Sequence, residues 1–217
     1  MKMIGEVNHN LMGFRDFLLL PEKKLFFCVT SDMNALSRVD SFFTNMTMPW
    51  EKKDKSKSEI ALSVGVLEVW AQKKGGDDSN YKRLWCKNFA SQAICLHYNQ
   101  QLNILAAGCD DGTLVVLDYD VNSPMEVEVI SEDKAHLKRI MSIWSHSKRK
   151  LIYTIGEDGM MKVFDLKAKN VTQEVTVSAN KLTYMVCDPN TGFAFIADKA
   201  GMIKLYDLNV VSLACVS

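Results

Sequence analysis

The sequence predicts an all-β fold built from a repeated four-stranded antiparallel unit, and three observations carry that prediction. Seven-residue segments align without gaps at Gly112-Thr-Leu-Val-Val-Leu-Asp118, Gly159-Met-Met-Lys-Val-Phe-Asp165 and Gly201-Met-Ile-Lys-Leu-Tyr-Asp207, with a weaker copy at Gly65-Val-Leu-Glu-Val-Trp-Ala71. Their glycines are 47, 47 and 42 residues apart, the period of a supersecondary unit and not of a heptad. Each of the last three glycines follows a short apolar run of strand character, at Ile104 to Ala107, Leu151 to Ile155 and Phe193 to Ala197.

Between each run and its partner lies turn chemistry. In Cys109-Asp-Asp-Gly112 and Gly156-Glu-Asp-Gly159, acidic residues that tolerate the left-handed region precede a glycine that enters it freely, which closes a hairpin. Upstream of each hairpin stands another strand candidate ending in a polar turn: Ala93 to Tyr98, Ile140 to Trp144 and Leu182 to Cys187. Downstream, alternating runs such as Met125 to Ile130 and Val171 to Val177 supply a fourth strand. Four antiparallel strands per repeat make the blade of a β-propeller. No segment sustains a helical period.

The residues at these positions resemble the WD-repeat family, whose blades end the third strand in Trp-Asp and often open with Gly-His. Leu117-Asp118, Phe164-Asp165 and Tyr206-Asp207 keep a large apolar residue and the Asp, Trp70-Ala71 keeps the Trp, and Ala135-His136 stands where Gly-His belongs. The resemblance implies a hydrogen-bonded chain through His136, Thr154 and Asp158, without an indole donor at Phe164. The other blades keep less of it: Ala107 replaces the hydroxyl residue before Asp111, and Ala200 replaces the hairpin Asp, with Asp198 two residues earlier. The run from Tyr81 to Asp207, with Lys134-Ala-His136 and Ala197-Asp-Lys-Ala-Gly201, is also similar to the first half of endosomal WD-repeat proteins that carry a FYVE zinc domain. No Cys-x-x-Cys pair or basic His-His-Cys stretch accompanies it here, so phosphoinositide binding does not carry over. A truncated half of such an adaptor is one functional alternative this resemblance implies.

The expected blades span about residues 1 to 88, 89 to 131, 132 to 177 and 178 to 217. In the first, Gly13 to Leu20 and Leu25 to Thr30 make two strands, and Val64 to Ala71 makes the third after an insertion at 33 to 63. Lys73 to Ser79 is expected as a connector between blades, and Ser212 to Ser217 as a last outer strand. Four blades leave three outcomes: a tight four-bladed ring, association of two arcs, or a gene product cut short.

Composition narrows the function. Lys and Arg number 26 against 26 Asp and Glu in 217 residues, with 47% hydrophobic. That balance argues against a nucleic-acid binder, which carries a basic excess. No run approaches the roughly 20 apolar residues of a membrane span, so a cytoplasmic chain without membrane insertion is expected, endosome-associated only if the FYVE-type resemblance holds. The six cysteines are expected as buried thiols, and Cys95 with His97 lacks the further ligands a zinc site needs. Met160, Met161 and Met202 read as packing between blades. No catalytic residue, metal or cofactor is expected.

The expected task is a non-catalytic scaffold for protein partners, with self-association or completion by another chain as the competing class. Structural blade positions are His136, Thr154, Asp158, Asp111, Asp118, Asp165, Asp198, Asp207 and Trp70. Candidate partner contacts are Phe42, Phe43, Met48 and Trp50 in the insertion, whose aromatics and tether have the composition of an interaction anchor, together with Lys138 and Arg139 at the same rim.

Overall fold

A computed structural model describes residues 14–31, 65–72 and 81–210. Fifteen strands occur among them. β1 (Phe14–Leu20), β2 (Leu25–Ser31), β3 (Gly65–Gln72) and β4 (Tyr81–Phe89) form the first sheet. The second holds β5 (Ala93–Asn99), β6 (Ile104–Cys109), β7 (Thr113–Tyr119) and β8 (Val127–Lys134). The third holds β9 (Ile140–His146), β10 (Leu151–Gly156), β11 (Met160–Asp165) and β12 (Asn170–Thr176), and the fourth holds β13 (Leu182–Cys187), β14 (Phe193–Asp198) and β15 (Ile203–Asp207). Every sheet is an antiparallel meander in chain order.

The period-two pattern of each strand distributes its side chains between two neighbouring blades. Leu105, Ala107, Val115 and Leu117 pack toward the first blade with Leu25, Phe27, Val29, Leu67 and Val69. The alternate residues Ile104, Ala106, Leu114 and Val116 pack toward the third with Ile143, Ile152 and Phe164. Tyr153, Ile155, Met161 and Val163 then meet Leu182, Met185, Ala194, Ile196 and Tyr206 of the fourth. The core is thus three layers between four blades, and the first strands β1, β5, β9 and β13 pack on one another at the centre. Among the described residues no packing of that kind joins the fourth blade to the first, and these blades form an open arc.

Some expectations change. The strands on either side of 73 to 79 are no pair of blades: β3 and β4 pair with each other, Gln72 opposite Tyr81, so the stretch joins two strands of one sheet. Met161 is fully buried, but Met202 is 58% exposed because it sits in the β14–β15 turn, outside the alternating register. Cys28, Cys95 and Cys109 are buried as thiols, whereas Cys86 is exposed on the outer strand β4. The insertion at 33 to 63, Ser212 to Ser217 and Cys215 lie outside the described residues.

Candidate functional site

One rim of the arc is built by the hairpins between the second and third strands and by the loops that enter each blade. Gly112 (φ +93°) and Gly159 (φ +80°) need the left-handed region, and each also lies under a loop of the next blade. A Cβ at 112 would come within 2.1 Å of His136 O, and one at 159 within 2.1 Å of Ser178 O. The same loops are held by backbone bonds, His136 N to Gly112 O (3.0 Å) and Val177 N to Gly159 O (2.9 Å).

From that position the His136 ring reaches into its own blade. Its Nδ1 lies 3.0 Å from both carboxylate oxygens of Asp158, and its Nε2 lies 2.8 Å from Thr154 Oγ1. An ionised carboxylate only accepts, so Nδ1 carries the proton and Nε2 accepts from the threonine hydroxyl. Burial holds the imidazole below its ordinary pKa, opposed by the Asp158 carboxylate. Burial also works against charge on Asp158, but hydrogen bonds from His136, Leu137 N and Met160 N outweigh it and keep the carboxyl below the usual range. The triad is neutral at histidine and ionised at aspartate, a structural bracket and not a proton shuttle.

The other blades meet the same need with different residues. Asp111 accepts from Ser91 Oγ (2.8 Å), Thr113 N (3.0 Å) and Thr113 Oγ1 (2.9 Å). Asp198 accepts from Ser178 Oγ (2.6 Å), Ala200 N (2.9 Å) and Met202 N (3.0 Å). Ser91 and Ser178 escaped the sequence reading; Ser178 stands four residues before β13 as His136 stands four before β9, and that offset was the available signal. At the opposite ends of the third strands, Asp165 accepts from Lys167 N (2.7 Å) and Asp207 from Asn209 N (2.9 Å). Asp118 does not share that turn role: it is exposed, and Asp120 takes the bond from Asn122 N (2.9 Å). Trp70 stacks on Phe26 and donates to Glu68 Oε2 (3.2 Å).

The bracket leaves Leu137 outside. Its amide is tied to Asp158 Oδ2 (3.1 Å) while the side chain is 82% exposed, beside exposed Lys138. Arg139 is partly taken up within the arc, its Nε 2.6 Å from Asp110 Oδ1 of the preceding blade. Lys181 repeats that link to Glu157 at 2.7 Å. Phe42, Phe43, Met48 and Trp50 lie outside the described residues.

The other rim carries a polar cleft of about 520 Å³ lined by His97, Asn99, Trp144, Ser145, His146 and Asn209. His97 Nε2 is 2.8 Å from Ser145 Oγ, which also accepts from Asn99 Nδ2 at 2.7 Å. Burial lowers the His97 pKa to about 4, so this imidazole is too weak a base to activate the serine near neutral pH. Among the described residues no cluster of three or more His, Cys, Asp or Glu is arranged to hold a metal.

Against known proteins, no family model matches the chain. The target of rapamycin complex subunit LST8 of Bos taurus is 28% identical over 131 residues, 55% of this chain and 40% of that protein. The target of rapamycin complex subunit wat1 of Schizosaccharomyces pombe is 25% identical over 118 residues, 52% of this chain and 37% of that protein. The chain therefore spans less than half the length of these curated relatives. Among solved structures, U3-55K superposes with a TM-score of 0.63 at 10% identity, over 96% of this chain and 53% of that one. The WD40 repeats of RRP9 match with a TM-score of 0.63 at 10% identity, over 52% of that chain. The computationally designed Ika4 protein matches with a TM-score of 0.62 at 12% identity, over 96% of this chain and 99% of that one. These relatives do not carry the finer resemblance to FYVE-bearing proteins.

Proposed function

We propose that the chain is a WD-repeat protein that acts as a non-catalytic scaffold and docks protein partners on the rim bearing Leu137. The observation that carries this is the pairing of rigidity with exposure at one residue: the Leu137 backbone is pinned to Asp158 and its side chain is 82% in solvent. A preorganised apolar anchor loses little entropy on binding, and a ring of polar groups around it excludes water once a partner is seated. Lys138 and the Asp110–Arg139 and Glu157–Lys181 pairs supply such a surround. The relatives named as subunits of target of rapamycin complexes support a subunit role in a multiprotein assembly for this chain as well. A balanced charge of 26 basic and 26 acidic residues favours protein over nucleic-acid partners. A cytoplasmic location agrees with that reading.

The test is affinity capture from the source cells with the full chain and its Leu137→Asp variant, followed by mass spectrometry. Exposed Leu137 tolerates the change in the free protein, so the variant keeps its melting temperature and loses the specific partners. Recovery of the same partners at the same yield by both chains would overturn the rim as the docking face.

A further inference from the structure

The two ends of the arc present faces that match each other. At each internal joint the first strand of one blade packs on the first and second strands of the blade before it: β5 on β1 and β2, β9 on β5 and β6, β13 on β9 and β10. Register places the residues of the joints in equivalent positions. Leu96 opposite Ala107, Ile143 opposite Thr154 and Met185 opposite Ile196 are buried against the preceding blade, and Phe17 opposite Cys28 is their counterpart in the first. Leu19 opposite Phe26 likewise corresponds to Tyr98 opposite Leu105. Among the described residues Phe17 is 66% exposed and Leu19 57%.

The fourth blade shows the complementary half. Its outward face carries Tyr184 (63% exposed), Val186 (53%), Phe195 (49%) and Ile203 (68%); Phe195 and Ile203 stand at the register positions where the third blade buries Tyr153 and Met161 against its successor, and Val186 at that of Trp144, which packs on the same layer. Its hairpin agrees: Gly112 and Gly159 each lie under the loop of a following blade, and Gly201, with φ +84°, has no atom within 4 Å of its Cβ position. A chain with both halves of one joint exposed at its two ends is self-complementary.

We propose that two copies of this chain close a ring head to tail, the β13–β14 face of each receiving β1 of the other. The ring then has two identical joints of the kind already present three times within each arc. The chain covers 53% and 52% of two solved chains on which it superposes, so two copies of this arc match the extent of one of them. One detail of the internal joints is not reproduced. Lys199 stands in the chain where Asp110 and Glu157 stand in their hairpins, and Gly13 precedes β1 where Arg139 and Lys181 precede β9 and β13, so the new joint lacks a rim ion pair. An exposed ion pair contributes little beside the burial of several large apolar side chains.

Sedimentation velocity on the full chain tests this. The expected result is a species of twice the chain mass. Phe195→Asp and Leu19→Asp, each on a surface that is exposed in the single arc, are expected to raise the dissociation constant at least 100-fold with unchanged far-UV circular dichroism; Tyr184→Lys serves if Phe195→Asp misfolds. An equimolar mixture of Phe195→Asp and Leu19→Asp keeps one good joint and associates more tightly than either variant alone. A monomeric wild-type chain up to about 100 µM, a dimer indifferent to both substitutions, or a mixture no tighter than its components would each overturn the proposal, the last by showing a face-to-face contact instead.

Discussion

His136 Nδ1 lies 3.0 Å from both oxygens of Asp158, while the His136 backbone N–H donates to Gly112 O of the preceding blade. One residue therefore closes a bracket inside its own blade and fastens that blade to its neighbour. With the imidazole fully buried and the bracket satisfied at both ring nitrogens, its loss is expected to be felt as stability and not as chemistry.

Replacing His136 by Ala leaves the Thr154 hydroxyl only its long bond to Lys162 O (3.5 Å) and removes a hydrogen bond from a carboxylate, and about 2–4 kcal/mol of destabilisation is expected. Thr154→Val keeps the shape but leaves Nε2 an unpaired acceptor, for about 1–2 kcal/mol. Urea unfolding midpoints measure both. Changes below about 0.5 kcal/mol for His136→Ala would mean that the bracket carries no net stability.

The two rim glycines offer a cleaner separation of sterics from backbone strain. Gly112→Ala adds a methyl 2.1 Å from His136 O at φ +93°, so the loop must move, and about 3 kcal/mol is expected. Gly201→Ala meets the same unfavourable φ, +84°, with nothing within 4 Å, leaving roughly 1 kcal/mol of backbone strain. Thermal unfolding in a Phe195→Asp background keeps both chains monomeric for the comparison. Equal costs at the two glycines would contradict the close passage of the His136 loop over Gly112.

The blade pattern was legible because the hairpin chemistry is local: Glu157-Asp-Gly159 encodes its own turn, and the alternation of Leu151 to Ile155 needs no partner to be seen. Partnership across blades was much less so. Ser91 and Ser178 look like ordinary loop serines until the fold brings them to Asp111 and Asp198. Arg139 reads as a free rim cation until Asp110 is found 2.6 Å away. The open faces were the least legible, since Phe193 and Phe195 alternate as Leu151 and Tyr153 do. Such a stripe is core if another blade lies against it and surface if none does, and strand periodicity does not record the neighbour.

The histidines predict an acid-sensitive fold. His97 has a folded pKa of about 4 against an ordinary 6.5, so the unfolded chain binds a proton that the folded chain refuses. Stability from this group is complete above about pH 6.5 and is lost as pH falls toward 4, at up to about 1.4 kcal/mol per pH unit. His136 acts in the same direction. Asp158, with its pKa lowered from 3.8, contributes stability that is lost only at lower pH, so the histidine window stands apart. Unfolding free energies from pH 7 to 4 should fall less steeply in His97→Gln, which can still bond Ser145 but does not titrate. Identical slopes for the two chains would show that His97 takes up no extra proton on unfolding.

The ion pairs between blades should matter little for stability, and the reason is exposure. Arg139 and Asp110 are 39% and 40% exposed, and Lys181 and Glu157 are 48% and 22% exposed, so water and salt screen both pairs. A double-mutant cycle on Asp110→Asn and Arg139→Gln is expected to give a coupling of about 0.5 kcal/mol, smaller in 1 M salt. Against three apolar layers that bury more than thirty core residues, such a coupling cannot hold the arc together. It can favour one register of neighbouring hairpins, because Asp110 N and Glu157 N are already fixed to Gln92 O and Arg139 O at 2.7 and 2.9 Å. A measured coupling above about 2 kcal/mol would instead require that the pair be desolvated in solution, as it would be if a bound chain covered the rim.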